Sequence, residues 1–217
     1  VRGMNGDYEW QAVLMAYKFM EYLKANPAMV PANLSVTVIP SLNPDGVFKV
    51  TGSDGRFDPT QVSKDAKIDA AGRFNAHAVD LNRNFDCHWQ ATSTWQGRIV
   101  SAGTRAFSEP ETQALRNFVL AHPPSAAVFW HSAANAVYAS ECSAGILPGT
   151  LIAMSAYADA AKYPAVKSFD AYPITGDSEG WLASINVPAI TVELATHETV
   201  EWERNLAGIK ALFTLYQ

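Results

Sequence analysis

Positive charge is scarce in this chain. Sixteen Lys and Arg stand against 21 Asp and Glu, a formal net charge of -5. A nucleic-acid partner wants a basic face, so the balance argues against that class. No apolar run is long enough to span a bilayer, and no membrane partner is expected. Cysteine is limited to Cys87 and Cys142, which suffice for one disulfide or two buried thiols, and the sequence leaves both open. Internal repeats, low-complexity tracts and linkers are missing. A chain of 217 residues is long enough for one sizeable core and short for two, so residues 1–217 read as a single domain. No leader is visible either, but the opening Val1-Arg2-Gly3 reads like the middle of a domain and leaves the compartment undecided.

What is present is an ordinary globular composition, 48% hydrophobic and 17% charged, with six Trp and eight Tyr, enough for a buried interior and some aromatic surface around a cleft. Trp10, Val13, Leu14, Tyr17, Met20 and Leu23 recur at three- and four-residue steps and predict a helix from about Glu9 to Ala25, stopped by Asn26-Pro27. Leu34 to Ile39 alternates and is rich in β-branched residues, which predicts a strand. Asn43-Pro44-Asp45-Gly46 is turn chemistry. Residues from about Gly52 to His77 show little periodicity and read as a long surface loop, more often functional than idle in a compact domain. Ser108-Glu109-Pro110-Glu111 starts a helix with Ser108 as the cap, and that helix ends before Pro123-Pro124. Ala126 to Trp130 is a short apolar strand that delivers His131, and Val187 to Leu194 is another that delivers Glu193. Helices are predicted from about Gly149 to Lys162 and from about Thr199 to Tyr216. Helices alternating with short strands, with polar groups at the strand ends, give an α/β fold with a site along the sheet edge.

Four stretches carry the chemistry. Val79 to Asp86 reads V-D-L-N-R-N-F-D, an Arg flanked by two Asn. A guanidinium grips a carboxylate through two parallel hydrogen bonds and a neighbouring amide adds a third, although the octet alone reads equally well as a surface turn. The others are N-P-D-G at Asn43 to Gly46, W-H-S at Trp130 to Ser132, and T-V-E-L at Thr191 to Leu194. Together, and in their order along the chain, they resemble the M14 zinc carboxypeptidases over nearly the whole chain. The resemblance implies an α/β fold with a mixed, mostly parallel sheet flanked by helices, a domain that lacks the family's N-terminal strands, and a monomer that works on peptides with a free C-terminus.

It also implies roles for residues. Zinc would be held by Glu9 and the distant His131, with Asn5 where the family has its first His. An amide oxygen is a much weaker zinc ligand than an imidazole. Asn5 would ligate weakly with help from water, Asp7 would take over, or zinc binding would be crippled. Glu193 corresponds to the family's base, and Arg73, with Arg56 as the alternative in the same loop, to the arginine beside the oxyanion. Asn82 and Arg83 correspond to the clamp on the terminal carboxylate and Tyr172 to the tyrosine that closes over the bound end. Glu179 falls where basic-preferring members carry an acid at the pocket floor, with Asp177 beside it, so Lys, Arg or diaminopimelate is the expected terminal residue. His77, His88, His122 and His197 have no partner at metal spacing. A Cys87–Cys142 bridge would brace two loops at the cleft and suits a secreted or extracytoplasmic protein. The leading expectation is a zinc-dependent carboxypeptidase; the alternatives are a metal-deficient, catalytically silent peptide- or wall-binding homologue and an amidohydrolase of the same fold.

Overall fold

The apolar stripe that begins at Trp10 folds as a helix. In a computed structural model, which describes residues 9–170 and 172–217, α1 spans Trp10–Ala25 and buries Ala12, Met15, Ala16 and Phe19. The next apolar run departs from expectation. Leu34 to Ile39 stays outside every ladder among the described residues and instead lines an apolar cavity of about 470 Å³ with Phe129, Phe118 and Phe213. Alternation makes a run competent for a strand, but a ladder needs a neighbouring edge in register.

The expected turn at Asn43 is the start of α2 (Pro44–Thr51). Asn43 Oδ1 accepts from Gly46 N at 2.9 Å and Pro44 takes the first helical position, so the same residue types cap a helix. The long loop carries a single 3-10 turn at Pro59–Gln61 and the short α3 (Ala66–Ala71). A hairpin that the sequence reading missed follows, β1 (Thr92–Trp95) and β2 (Arg98–Ser101), joined through Gln96 and Gly97, both at positive φ. Then come α4 (Pro110–Ala121), capped at Glu109 rather than Ser108, β3 (Ala127–Ser132), β4 (Ala136–Ala139), β5 (Glu141–Cys142) and β6 (Gly145–Ile146). The chain closes with α5 (Pro148–Ala161), β7 (Ala165–Val166), α6 (Ser178–Ser184), β8 (Ala189–Leu194) and α7 (Trp202–Tyr216).

The central sheet runs β3-β8-β4-β7, with β3 parallel to β8, β4 parallel to β7, and β8 antiparallel to β4. This is the expected mixed, mostly parallel sheet. Successive residues of a strand point to opposite faces, so Trp130 packs with Met15, Phe19, Tyr157, Ile209 and Leu212 of α1, α5 and α7, while Phe129 packs with Leu115, Val119, Trp181 and Leu182 of α4 and α6. Ile190, Val192 and Leu194 of β8 face the first layer. Thr191 and Glu193 therefore point to the second side, beyond the end of its apolar packing, and a crevice opens there at the carboxyl ends of the strands.

Close packing of α7 on α5 depends on Gly208, where an added Cβ would lie 2.6 Å from the Tyr157 ring, itself fully buried. Gly208→Ala gains about 1 kcal/mol of helix propensity. Overpacking of a rigid ring costs about 1–3 kcal/mol and outweighs that gain. The variant is expected to unfold at a lower denaturant midpoint than the parent; an equal or higher midpoint would refute the packing account.

Candidate active-site cleft

The parallel pairing of β3 and β8 sets His131 beside Glu193 in register. Glu9, at the N-cap of α1, brings its carboxylate under the imidazole: His131 Nδ1 lies 3.0 Å from Glu9 Oε2 and 3.3 Å from Oε1. The other ring nitrogen, Nε2, lies 3.2 Å from Glu179 Oε1. Glu179 stands in the first turn of α6, whose N-cap is Asp177, with Oδ2 accepting from Gly180 N at 2.7 Å. Thr191 Oγ1 donates to Glu179 Oε1 at 3.1 Å and Ser178 Oγ donates to Oε2 at 2.6 Å.

The V-D-L-N-R-N-F-D octet is an interior structure. Leu81–Arg83 form a 3-10 turn, with Asp80 accepting from Asn82 N. Asn84 is fully buried: its amide donates to Ala102 O and Ser108 Oγ and accepts from Thr112 Oγ1, so it ties the turn to α4. Asn82 Oδ1 accepts from Ser178 N at 3.2 Å. Arg83 is 2% exposed; Nη1 donates to Asn82 O at 2.7 Å, Nη2 donates to Thr94 O at 3.3 Å, and Nε has no acceptor among the described residues. Among the described residues no carboxylate lies within 4.0 Å of this guanidinium. Arg73 Nε donates to Asp80 Oδ2 at 2.9 Å, and its guanidinium sits over the Trp95 ring. Arg56 turns away to the surface, paired with Glu21 and stacked on Tyr17.

The Tyr172 segment is tied to the Arg83 turn by backbone. Gly176 N donates to Cys87 O at 2.7 Å, and Phe85 N donates to Gly176 O at 2.9 Å. A Cβ on Gly176 would lie 2.2 Å from Arg83 O. Cys87 and Cys142 form a disulfide that joins this turn to β5. Tyr172 is 37% exposed and packs edge-on against Phe169, which packs in turn on Tyr138.

One cleft of about 610 Å³ gathers Glu9, Arg73, Asn82, Arg83, His131, Tyr172, Asp177, Glu179 and Glu193. Asn5 and Asp7 lie outside the described residues. The sequence reading missed Ser178 and Thr191, although Thr191 stands two before Glu193 and so shares its face. It also passed over Tyr138, and it gave His88 and His197 no partner at metal spacing; all three line the cleft. Gln11 Nε2 donates to Ser132 Oγ at 2.6 Å, and that hydroxyl lies 3.0 Å from His197 Nδ1.

The donor set can be tested against zinc. Two ligands on a tetrahedral zinc with bonds of about 2.0–2.2 Å stand about 3.4 Å apart. The His131 Nδ1 to Glu9 distances of 3.0 and 3.3 Å are near that edge, but they are also those of a hydrogen bond, so this pair alone does not make a zinc site. A third ligand does not join them among the described residues. The group of three donors drawn within 4.8 Å there is Cys87, His88 and Cys142, and the disulfide withdraws both sulfurs from metal binding.

Comparison with known proteins bears on the fold that carries this cleft. A family model described as zinc carboxypeptidase matches residues 8–206. Among solved structures, the murein-tripeptide amidase MpaA from Escherichia coli O157 superposes with a TM-score of 0.63 at 22% identity, over 98% of this chain and 78% of that one. Bovine thrombin-activatable fibrinolysis inhibitor, solved with tick carboxypeptidase inhibitor, gives 0.69 at 19% identity over 98% and 77%. Carboxypeptidase A from Helicoverpa armigera gives 0.61 at 18% identity, over 99% of this chain and 58% of that one. These likenesses establish the fold.

The cleft is electrostatically crowded. Burial alone disfavours a charged His131, but the carboxylates of Glu9 and Glu179 outweigh it and push the imidazole up to about 10. Burial likewise works against an ionised Glu179, and the His131 contact prevails and lowers it. Asp177 goes the other way: burial and the neighbouring Glu179 charge raise it from 3.8 to about 6. A carboxyl whose folded-state value is raised stabilises the fold below its unfolded value, and that contribution is lost as the pH climbs from about 4 through 6. The loss amounts to about 3 kcal/mol at pH 7. Asn caps helices as well as Asp does. Asp177→Asn is therefore expected to raise the thermal midpoint at pH 7 and leave it nearly unchanged at pH 4; an equal effect at both values would refute the assignment.

Proposed function

The chain belongs to the zinc carboxypeptidase family, and on that premise we propose that it removes the terminal residue from peptides with a free carboxylate. The observation that carries this reading is Arg83. A cation that is 2% exposed, has no carboxylate within ion-pair distance among the described residues and faces a cleft is costly unless a ligand supplies the anion. A substrate carboxylate supplies it, and Asn82, whose amide nitrogen makes no hydrogen bond among the described residues, adds a neighbouring donor.

The rest of the machinery follows from that anchor. Glu193 takes a proton from the attacking water and returns it to the leaving amine. Arg73 faces the negative charge that develops on the carbonyl oxygen. Tyr172 covers the bound end. Glu9 and His131, with Asn5, would hold zinc, which when bound supplies Lewis acidity to the peptide carbonyl. A terminal Lys, Arg or diaminopimelate is the residue class favoured by acids in the same cleft, and Asp177, with one backbone partner, is the freer of the two. The disulfide supports an extracytoplasmic setting, where such bonds persist.

Two substitutions test the reading on short peptides with free and amidated C-termini. Arg83→Ala is expected to lower kcat/KM on the free-carboxylate peptide about 10- to 100-fold and leave the amidated peptide, already poor, unchanged. Glu193→Gln is expected to lower kcat about 10²- to 10⁴-fold with little change in KM. Equal cleavage of both peptides by the parent would favour an amidase, and zinc-free, inactive parent protein would favour a silent binding module.

A further inference from the structure

We propose that Cys87, His88 and Cys142 form a redox-gated metal site. When the Cys87–Cys142 bridge is open, the two thiolates and the imidazole take up a thiophilic divalent cation, zinc above all. The cation then holds the two cleft loops together in place of the bridge. The ligand atoms of these three residues lie within 4.8 Å of one another, and all three residues line the cleft. Thiolate and imidazole are ligands that suit zinc, and two sulfurs with one nitrogen leave a fourth tetrahedral position for water.

The positions are held by contacts other than the sulfur–sulfur bond. Cys87 O accepts from Gly176 N at 2.7 Å, and an added Cβ on Gly180 would lie 3.0 Å from Cys87 Sγ. Cys142 sits in the β5–β6 hairpin in register with Gly145, and Ser140 N just before it donates to Ala189 O of β8. The two Cα atoms are 6.0 Å apart. With Zn–S bonds of about 2.3 Å, a zinc dithiolate sets its sulfurs about 3.8 Å apart, against about 2.0 Å in any disulfide. Rotation about the two Cα–Cβ bonds makes up that difference with the backbone in place. His88 offers its ring from the left-handed region, at φ 51, where residues other than Gly are uncommon and His is among the types that tolerate it. A purely structural bridge gains nothing from an imidazole held there, whereas a cation does.

The chemistry balances. Opening the bridge takes two electrons and two protons from a dithiol, which leaves as its own disulfide. Zinc then displaces one proton from each new thiol and takes a lone pair from neutral His88. Before the bridge first closes, the same thiols are available without a reductant. None of the three residues belongs to the peptide-cutting machinery, so this site stands or falls independently of it.

The test uses the full chain with Co²⁺ or Zn²⁺ alone. One sample keeps its bridge. The other is opened anaerobically with a water-soluble phosphine, which becomes the phosphine oxide with oxygen from water and does not chelate the metal as a dithiol would. The reduced parent is expected to bind Co²⁺ with thiolate-to-cobalt charge-transfer absorption, to lose that absorption when Zn²⁺ displaces the cobalt, and to melt at a higher temperature with Zn²⁺. The bridged parent should show no such absorption. Metal held by Glu9 and His131 through oxygen and nitrogen adds none, so the two sites are told apart. His88→Ala keeps both cysteines; once reduced, it should hold Co²⁺ at least about 10-fold more weakly, the cost of losing even an outer-shell partner. If reduction unfolds the chain, as seen by circular dichroism, Zn²⁺ should restore the spectrum of the parent and fail to restore that of His88→Ala. A reduced parent without the charge-transfer absorption would overturn the inference. So would His88→Ala binding as tightly as the parent, or a reduced, unfolded parent that Zn²⁺ does not refold.

Discussion

The site depends on a single ladder. Parallel pairing puts His131 of β3 across from Glu193 of β8, and neither residue is close to the other in sequence. Because side chains alternate along a strand, the face that carries these two polar groups is the one that carries Phe129 and Ala189 further back, packed under α4 and α6. The apolar half of that face fixes how the strands lie. The polar half, past the end of the helical cover, becomes the cleft. Sliding either strand by a residue would turn its polar group into the packed layer under α1, α5 and α7, where Trp130 and Val192 now sit, and part it from the other. Core packing therefore decides the placement of the reactive groups.

Around that ladder the charges are arranged unevenly. His131 lies between two carboxylates, Asp177 crowds against Glu179, and Arg73 is held by Asp80. Arg83 is bonded to backbone carbonyls that carry no formal charge, and Asp177 feels its charge only from beyond ion-pair distance. Buried acids and cations matched inside a fold speak for structure, while a buried cation left to a cleft speaks for a ligand. This contrast separates the clamp from its neighbours more sharply than sequence pattern does.

Much of this was legible in the sequence, for identifiable reasons. Long amphipathic runs such as Trp10 to Ala25 carry their own period, and the strands ending in His131 and Glu193 are apolar runs flanked by breakers. What stayed hidden depends on partners. Leu34 to Ile39 has a strand's alternation and no ladder among the described residues. Asn43-Pro44-Asp45-Gly46 serves a helix cap with the residues of a turn. The second Asn of the octet, Asn84, looks like one more donor for a ligand, yet its amide is fully occupied with tying the turn to α4. Motif order pointed to Glu179, which lines the cleft, but could not show that its oxygens meet Thr191, Ser178 and His131. Spacing reports which residues gather, and three-dimensional neighbours decide which of their atoms are available.

Gly176 limits how such a cleft can diversify. Its missing side chain lets the backbone meet Arg83 O, and its N–H and C=O are tied to Cys87 and Phe85. From that point to Glu179 the chain has almost no slack, so an insertion or deletion there would disturb the anion grip and the α6 acids together. Length variation has room only upstream, between β7 and Gly176. Substrate range in a lineage built on this scaffold should therefore drift through the loop around Phe169 and Tyr172, while the segment behind it holds a constant length.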